Sequence, residues 1–221
     1  MVKRILLIVV LVIIGIFVLS EFLIPEHAAS EIRTALDDYF DEYSDLELKV
    51  GARPALKLLD GKADYLEFSA RRVRAEGLYF DAVYAYFTDL EFNDEEIIGE
   101  MKALELVLLA ADLNDYLVDY DIELLLEPGS VRALTPVEVF GQIMEVKVRG
   151  SLSIREERYL VFSPDSVILE GLEIPRAWLD DVLKEVRLEI DLDRFPVPFR
   201  VEEVHVGEGK LLLKAEDNNN N

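Results

Sequence analysis

Cysteine is absent from the 221 residues. That excludes a disulfide framework, a thiolate metal site, a cysteine nucleophile and anchoring through a lipidated cysteine. Histidine occurs only at His27 and His205. No metalloprotease spacing, GxSxG nucleophile elbow, GxGxxG turn or phosphate loop accompanies them. Positive charge is scarce, with 23 Lys and Arg against 45 Asp and Glu, a net charge of −22. A surface of that sign repels nucleic acid and does not dock broadly onto anionic lipid. Acids this numerous produce pairs such as Asp191 and Asp193 without a ligand-binding pattern, and the EF-hand loop is missing. The residues point away from an enzyme and name no cofactor, no catalytic group and no metal ligand.

One long apolar run is present. Ile5 to Ser20, ILLIVVLVIIGIFVLS, carries no charge, and Phe22, Leu23 and Ile24 extend it past Glu21. A helix of about 20 apolar residues spans a bilayer. Lys3 and Arg4 precede the run and acids follow it, an orientation that keeps the N-terminus cytoplasmic and exports the rest. A cleaved signal peptide is the competing reading. The segment EFLIPEHAAS offers only a poor cleavage site near Ala28 and Ala29, which favours an uncleaved anchor, and both readings place the domain outside the cytoplasm. The expected organisation is a cytoplasmic tip and transmembrane anchor (1–24), one extracytoplasmic domain (25–217) and a disordered tail (218–221), in the cell membrane with a single pass. Hydrophobic residues make up 51% of the chain, enough for a real core.

Hydrophobic periodicity divides the domain. Pro25 is expected to end the spanning helix. Ile32, Ala35, Leu36, Tyr39 and Phe40 then recur at helical spacing from Ala28 to Asp41. Alternation predicts strands over 46–50, 65–74, 104–109, 137–154, 159–162, 167–169, 199–206 and 210–215, with turns at Asp60-Gly61, Pro128-Gly129, Gly141 and Gly207–Gly209. A short helix is expected at 55–59. Asp112 is placed to cap a second, and Pro175 to open a third carrying Trp178. The most informative stretch is LYFDAVYAYFTDLEF, 78–92. Strict alternation puts Leu78, Phe80, Ala82, Tyr84, Tyr86, Thr88, Leu90 and Phe92 on one face, and Val83, Ala85 and Phe87 on the other. Both faces are apolar in the middle, and a strand this long, about 50 Å, must curve or bend.

Four stretches are similar to the LmeA-like phospholipid-binding family of exported bacterial proteins. GKADYLEFSARRVRAEGLYFDAVYAYFTDLEF (61–92) resembles its paired strands around a small Gly turn. LLAADLNDYL (108–117) resembles its strand leading into an Asn-containing helix. VFSPDSVILEGLEIPRAWLDDVL (161–183) resembles its strand, Gly turn, proline and helix, and PFRVEEVHVGEGKLLLKAED (198–217) its closing hairpin. The resemblance covers roughly residues 30–217. It implies an α+β fold, a curved, mostly antiparallel sheet wrapped on helices as in tubular lipid-binding folds, with an N-terminal transmembrane helix. It also implies binding of phospholipid or another amphiphile at the outer face of the membrane, in the service of cell-envelope lipid or glycolipid maintenance.

Two functional classes follow. In the first, acyl chains bury in an apolar cavity whose candidate wall is Ile32, Leu36, Phe40, Phe80, Tyr84, Tyr86, Leu90 and Trp178. In the second, every apolar face is satisfied by packing, and the chain is a non-catalytic structural or protein-interaction domain with a closed core. A continuous apolar tunnel favours the first, and a filled interior the second.

Overall fold

The computed structural model describes residues 2–92, 97–139, 142–169, 172–175, 188–192 and 201–216, with only the backbone for 2–18. Its first element is one helix, α1 (Val2–Tyr39), which passes through Pro25. The break expected at Pro25 does not occur. A proline costs a helix one N–H and crowds the carbonyl four residues back. Helix-forming sequence on both sides of Pro25 absorbs that local loss. The last turn closes with Phe40 N–H donating to the Leu36 carbonyl at 2.9 Å. Just beyond, the Tyr43 hydroxyl donates to the Asp37 carboxylate, and that hydrogen bond raises the phenol's pKa above its ordinary value.

The strands form two sheets, and every described pairing is antiparallel. The first runs in the order β1 (Glu42–Gly51), β2 (Lys62–Ala75), β3 (Leu78–Phe92), β4 (Ile97–Leu109), β12 (Lys210–Glu216), β11 (Glu203–Gly207). The second runs β10 (Leu188–Asp191), β8 (Tyr159–Leu169), β7 (Gln142–Arg155), β6 (Ser130–Val139), β5 (Glu123–Glu127), with β9 (Leu172–Pro175) also on β8. A short helix, α2 (Ala110–Tyr116), follows β4, and 3₁₀ helices lie at Ala55–Asp60 and Val118–Tyr120.

Backbone hydrogen bonds join the sheets where hairpins meet. Gly129 N–H donates to the Val206 carbonyl at 3.0 Å, and Gly209 N–H to that of Leu126 at 3.1 Å. One core lies between them. Val83, Leu104, Leu106, Leu211 and Leu213 come from the first sheet, and Leu124, Val131, Val146, Val148 and Phe162 from the second. Each fully buried Leu or Phe contributes about 1.5–3 kcal/mol, so this layer is the main source of cohesion. Leu113 and Leu117 seal one side of it. The Asn114 side chain holds β5 there, accepting from Leu124 N–H at 2.7 Å and donating to the Leu124 carbonyl at 3.0 Å. The antiparallel, curved character matches the expectation. The sheets pack chiefly on each other rather than on helices.

Two local expectations are corrected. β8 runs unbroken through Pro164 and Asp165, because Pro164 pairs with Gly150 at a register shift, where the ladder is already interrupted. Asp112 does not cap α2, whose N-cap is Leu109 without a side-chain bond. The carboxylate is engaged by Arg72 instead. Pro175 ends β9, and the helix expected after it, with Trp178, lies outside the described residues.

Candidate functional site

β3 is the axis of the site. Its buried residues are Leu78 and Phe80, then Val83 and Ala85, then Leu90. The alternation therefore slips once between Phe80 and Val83, and again before Leu90. Each slip has a backbone cause. Arg72, which lies across from Asp81 between the pairs Arg71–Ala82 and Val73–Phe80, has φ 50°, and Asp89 has φ 53°. A left-handed residue in a strand rotates the following side chains onto the other face. The long strand is thus three segments, and the single face expected to carry Phe80, Tyr84, Tyr86 and Leu90 is divided.

Phe80 is 1% exposed and belongs to the core between the sheets. Phe40 is buried and stacks on Phe68 at 6.2 Å between ring centroids, with Leu36 packed against the same core. Leu90 belongs to a second, smaller cluster with Val50 and Ala63, onto which α1 lays Ala28, Ala29 and Ile32 and the first 3₁₀ helix lays Leu58. Tyr84 and Tyr86 stay together, half-buried, on the face of β3 away from Val83 and Ala85.

Register places their neighbours. The row through Tyr84 is Ser69, Tyr84, Glu105, Lys214. On one side Ala82 stands beside Val107, followed by Leu212, and on the other Tyr86 stands beside Ala103. All are half-buried. The Lys214 ammonium pairs with the Glu105 carboxylate at 2.7 Å. The face is therefore amphiphilic: uncharged side chains with two phenols, crossed by one neutralised ion pair. It can lie against an apolar chain while offering hydroxyls and an ammonium to a polar group.

Enclosed space is small. One pocket of about 230 Å³ is lined by Tyr116, Leu117, Tyr120, Tyr159 and β10, and one of about 340 Å³ by residues of β5, β6 and the loop after α2. Ligand cavities start at roughly 300 Å³, and neither pocket includes a predicted wall residue. Among the described residues no three His, Asp or Glu side chains gather to hold a metal ion. Among them, too, no helix is long and apolar enough to cross a membrane; the apolar run of α1 falls on residues 2–18, whose side chains are outside the description.

Periodicity missed Val107 and Leu212, which join Tyr84 only through pairing across β4 and β12. It also missed the exposure of Leu56 and Leu59, on a segment too short for a period.

Comparison with known proteins decides the class. The family described as LmeA-like phospholipid-binding matches residues 19–216. The chain belongs to the LmeA-like phospholipid-binding family. The match takes in α1 from Leu19 onward and both sheets, so the open face of β3, β4 and β12 and the α1-covered end of the sheet are parts of an LmeA-like domain. No curated protein and no solved structure matches the chain.

Proposed function

We propose that the chain is a membrane-anchored, extracytoplasmic LmeA-like domain that holds a phospholipid, or another amphiphile, along the open face of β3, β4 and β12. The observation that carries this reading is the pairing of family membership with a half-buried amphiphilic face next to a filled core. An acyl chain laid over Ala82, Tyr84, Val107 and Leu212 removes apolar surface from water at about 0.8 kcal/mol per buried CH₂. Lys214 and the phenols stand where a headgroup needs donors. The continuity of α1 from Val2 into the domain supports anchoring by the apolar run, with Lys3 and Arg4 on the cytoplasmic side. Anchoring keeps the face beside its lipid source and raises the effective concentration. Such a protein would serve maintenance of cell-envelope lipid or glycolipid.

A photoactivatable phospholipid, incorporated with the full chain into nanodiscs, tests the site. Cross-links on peptides holding Tyr84, Tyr86, Val107 or Leu212 support it, and cross-links confined to residues 1–24 overturn it. A reporter active only outside the cytoplasm, fused after Asp217, tests the topology, and an inactive reporter on a stable fusion rejects it. The filled space between the sheets favours a second reading, an interaction domain with a closed core, which predicts no cross-links beyond the anchor.

A further inference from the structure

The Ala55–Asp60 3₁₀ helix lies beside α1. Ala55 is 1% exposed, and its N–H donates to the Glu21 carboxylate at 3.1 Å. Leu58 points to the small cluster with Ala28, Ala29 and Ile32. Residues three apart on a 3₁₀ helix eclipse, so Leu56 and Leu59 share the outward side, at 45% and 66% exposure. At that level of α1, Leu19, Phe22 and Leu23 are exposed by 60%, 70% and 60%. Spacing of three and four puts them on one face of α1, and a helix turns about 100° per residue, so Glu21 stands roughly opposite. Large apolar side chains are therefore in the open on both sides of α1 at one height.

We propose that the Ala55–Asp60 3₁₀ helix is a foot that sinks into the outer interfacial layer of the bilayer and seats the α1-covered end of the sheet on the membrane. The inference rests on the anchored reading of α1. From Ile5 to Ile24 a helix rises about 30 Å, the thickness of the hydrocarbon layer. That sets Leu19, Phe22 and Leu23 at its outer edge and the 3₁₀ helix just above, within the headgroup zone. A second protein surface would cover one side of α1, whereas a bilayer surrounds it, and apolar exposure on both sides fits the bilayer. The contact is apolar, so the net charge of −22 does not oppose it. Exposed Arg53 and the partly exposed Lys57 flank the foot, where phosphate groups lie.

The absence of cysteine makes single spin labels straightforward. Labels at Leu56→Cys, Ile13→Cys and Leu125→Cys, in the full chain reconstituted in phosphatidylcholine and phosphatidylglycerol vesicles, would be compared by collision with oxygen and with a water-soluble nickel chelate. The foot predicts an oxygen-to-nickel ratio at position 56 several-fold above that at 125 and closer to that at 13. A ratio at 56 equal to that at 125, with 13 still in lipid, overturns the foot and leaves the anchor standing. A label at 13 open to nickel overturns the anchor and the foot with it. Spin–spin broadening at 56 in dilute vesicles assigns the surface to a second copy and also overturns the foot.

Discussion

Arg72 of β2 forks onto Asp112 of α2, donating from Nη1 at 2.6 Å and from Nη2 at 2.9 Å to the two carboxylate oxygens. The residue with the left-handed backbone is thus the one whose side chain leaves the sheet to hold the helix. Its guanidinium also lies over the Tyr79 ring at 4.7 Å, and the Asp112 hydrogen bonds raise its pKa further above its already high value. Asp112 is only 8% exposed. Removing Arg72 leaves that carboxylate buried and unpaired, a loss of about 2–3 kcal/mol. Arg72→Ala should lower the midpoint of denaturant unfolding by that amount. Arg72→Lys should recover only part of it, because an ammonium cannot make the fork. Equal midpoints for wild type and Arg72→Ala would show that the pair is only a surface contact.

Strand positions, hairpin turns and the half-buried phenols were legible because alternation and turn residues are local signals. β2, β3 and the turn at Gly61 follow directly from them. The slips at Arg72 and Asp89 were not, since neither residue is glycine and nothing nearby marks a left-handed backbone. That alone separated Phe80 and Leu90 from Tyr84 and Tyr86. The Asp112 partner was equally hidden, because Arg72 comes from another strand, 40 residues earlier. Asp before a helical stripe reads as a cap unless the fold is known. Pro25 and Pro164 misled for the opposite reason: a strong local breaker was outweighed by the elements on both sides.

Gly150 marks the register shift between β7 and β8. A Cβ there would stand 2.4 Å from the Ser163 carbonyl oxygen and 2.7 Å from the Phe162 ring. The carbonyl is backbone and cannot swing away, so Gly150→Ala is expected to cost about 1–3 kcal/mol of overpacking. Gly129 has φ 70° with nothing near its missing Cβ, so Gly129→Ala should cost only about 1 kcal/mol of backbone strain. Thermal melts of the two variants should rank in that order, and the reverse order would refute the tight contact.

Asp64 holds the Ala55–Asp60 3₁₀ helix to β2. It accepts from the Lys57 ammonium at 2.8 Å and from Arg53 N–H at 2.6 Å, and these bonds, the first above all, place its pKa below the ordinary carboxylate value. A carboxyl with a depressed folded pKa stabilises above its unfolded pKa, near 3.9, and the contribution disappears as pH falls through the folded value. Amide exchange in residues 55–60 should therefore be faster in Asp64→Asn than in wild type at pH 7. The difference should vanish below about pH 3. A difference that persists in acid would assign the effect to shape rather than charge.

Adjacent residues of β3 separate face from core. Val83 is 3% exposed and packs between the sheets, while Tyr84 is half-buried on the open side. Val83→Glu places an unpaired charge in the core, which costs several kcal/mol or forces protonation. Tyr84→Glu keeps its new carboxylate in reach of water. Its neighbour across β4 is Glu105, so some cross-strand repulsion is expected, up to about 1 kcal/mol, and Lys214 on Glu105 reduces it. The magnitudes therefore predict a large fall in melting temperature for Val83→Glu and a small one for Tyr84→Glu. Lipid should respond the other way round. The open-face site predicts that Tyr84→Glu, still folded, loses the phospholipid cross-links on the peptides of β3, β4 and β12 and keeps those on residues 1–24. A folded Tyr84→Glu with undiminished cross-links would move the lipid off this face. A Tyr84→Glu that unfolds as readily as Val83→Glu would show that Tyr84 is core, and the open face would no longer exist as a site.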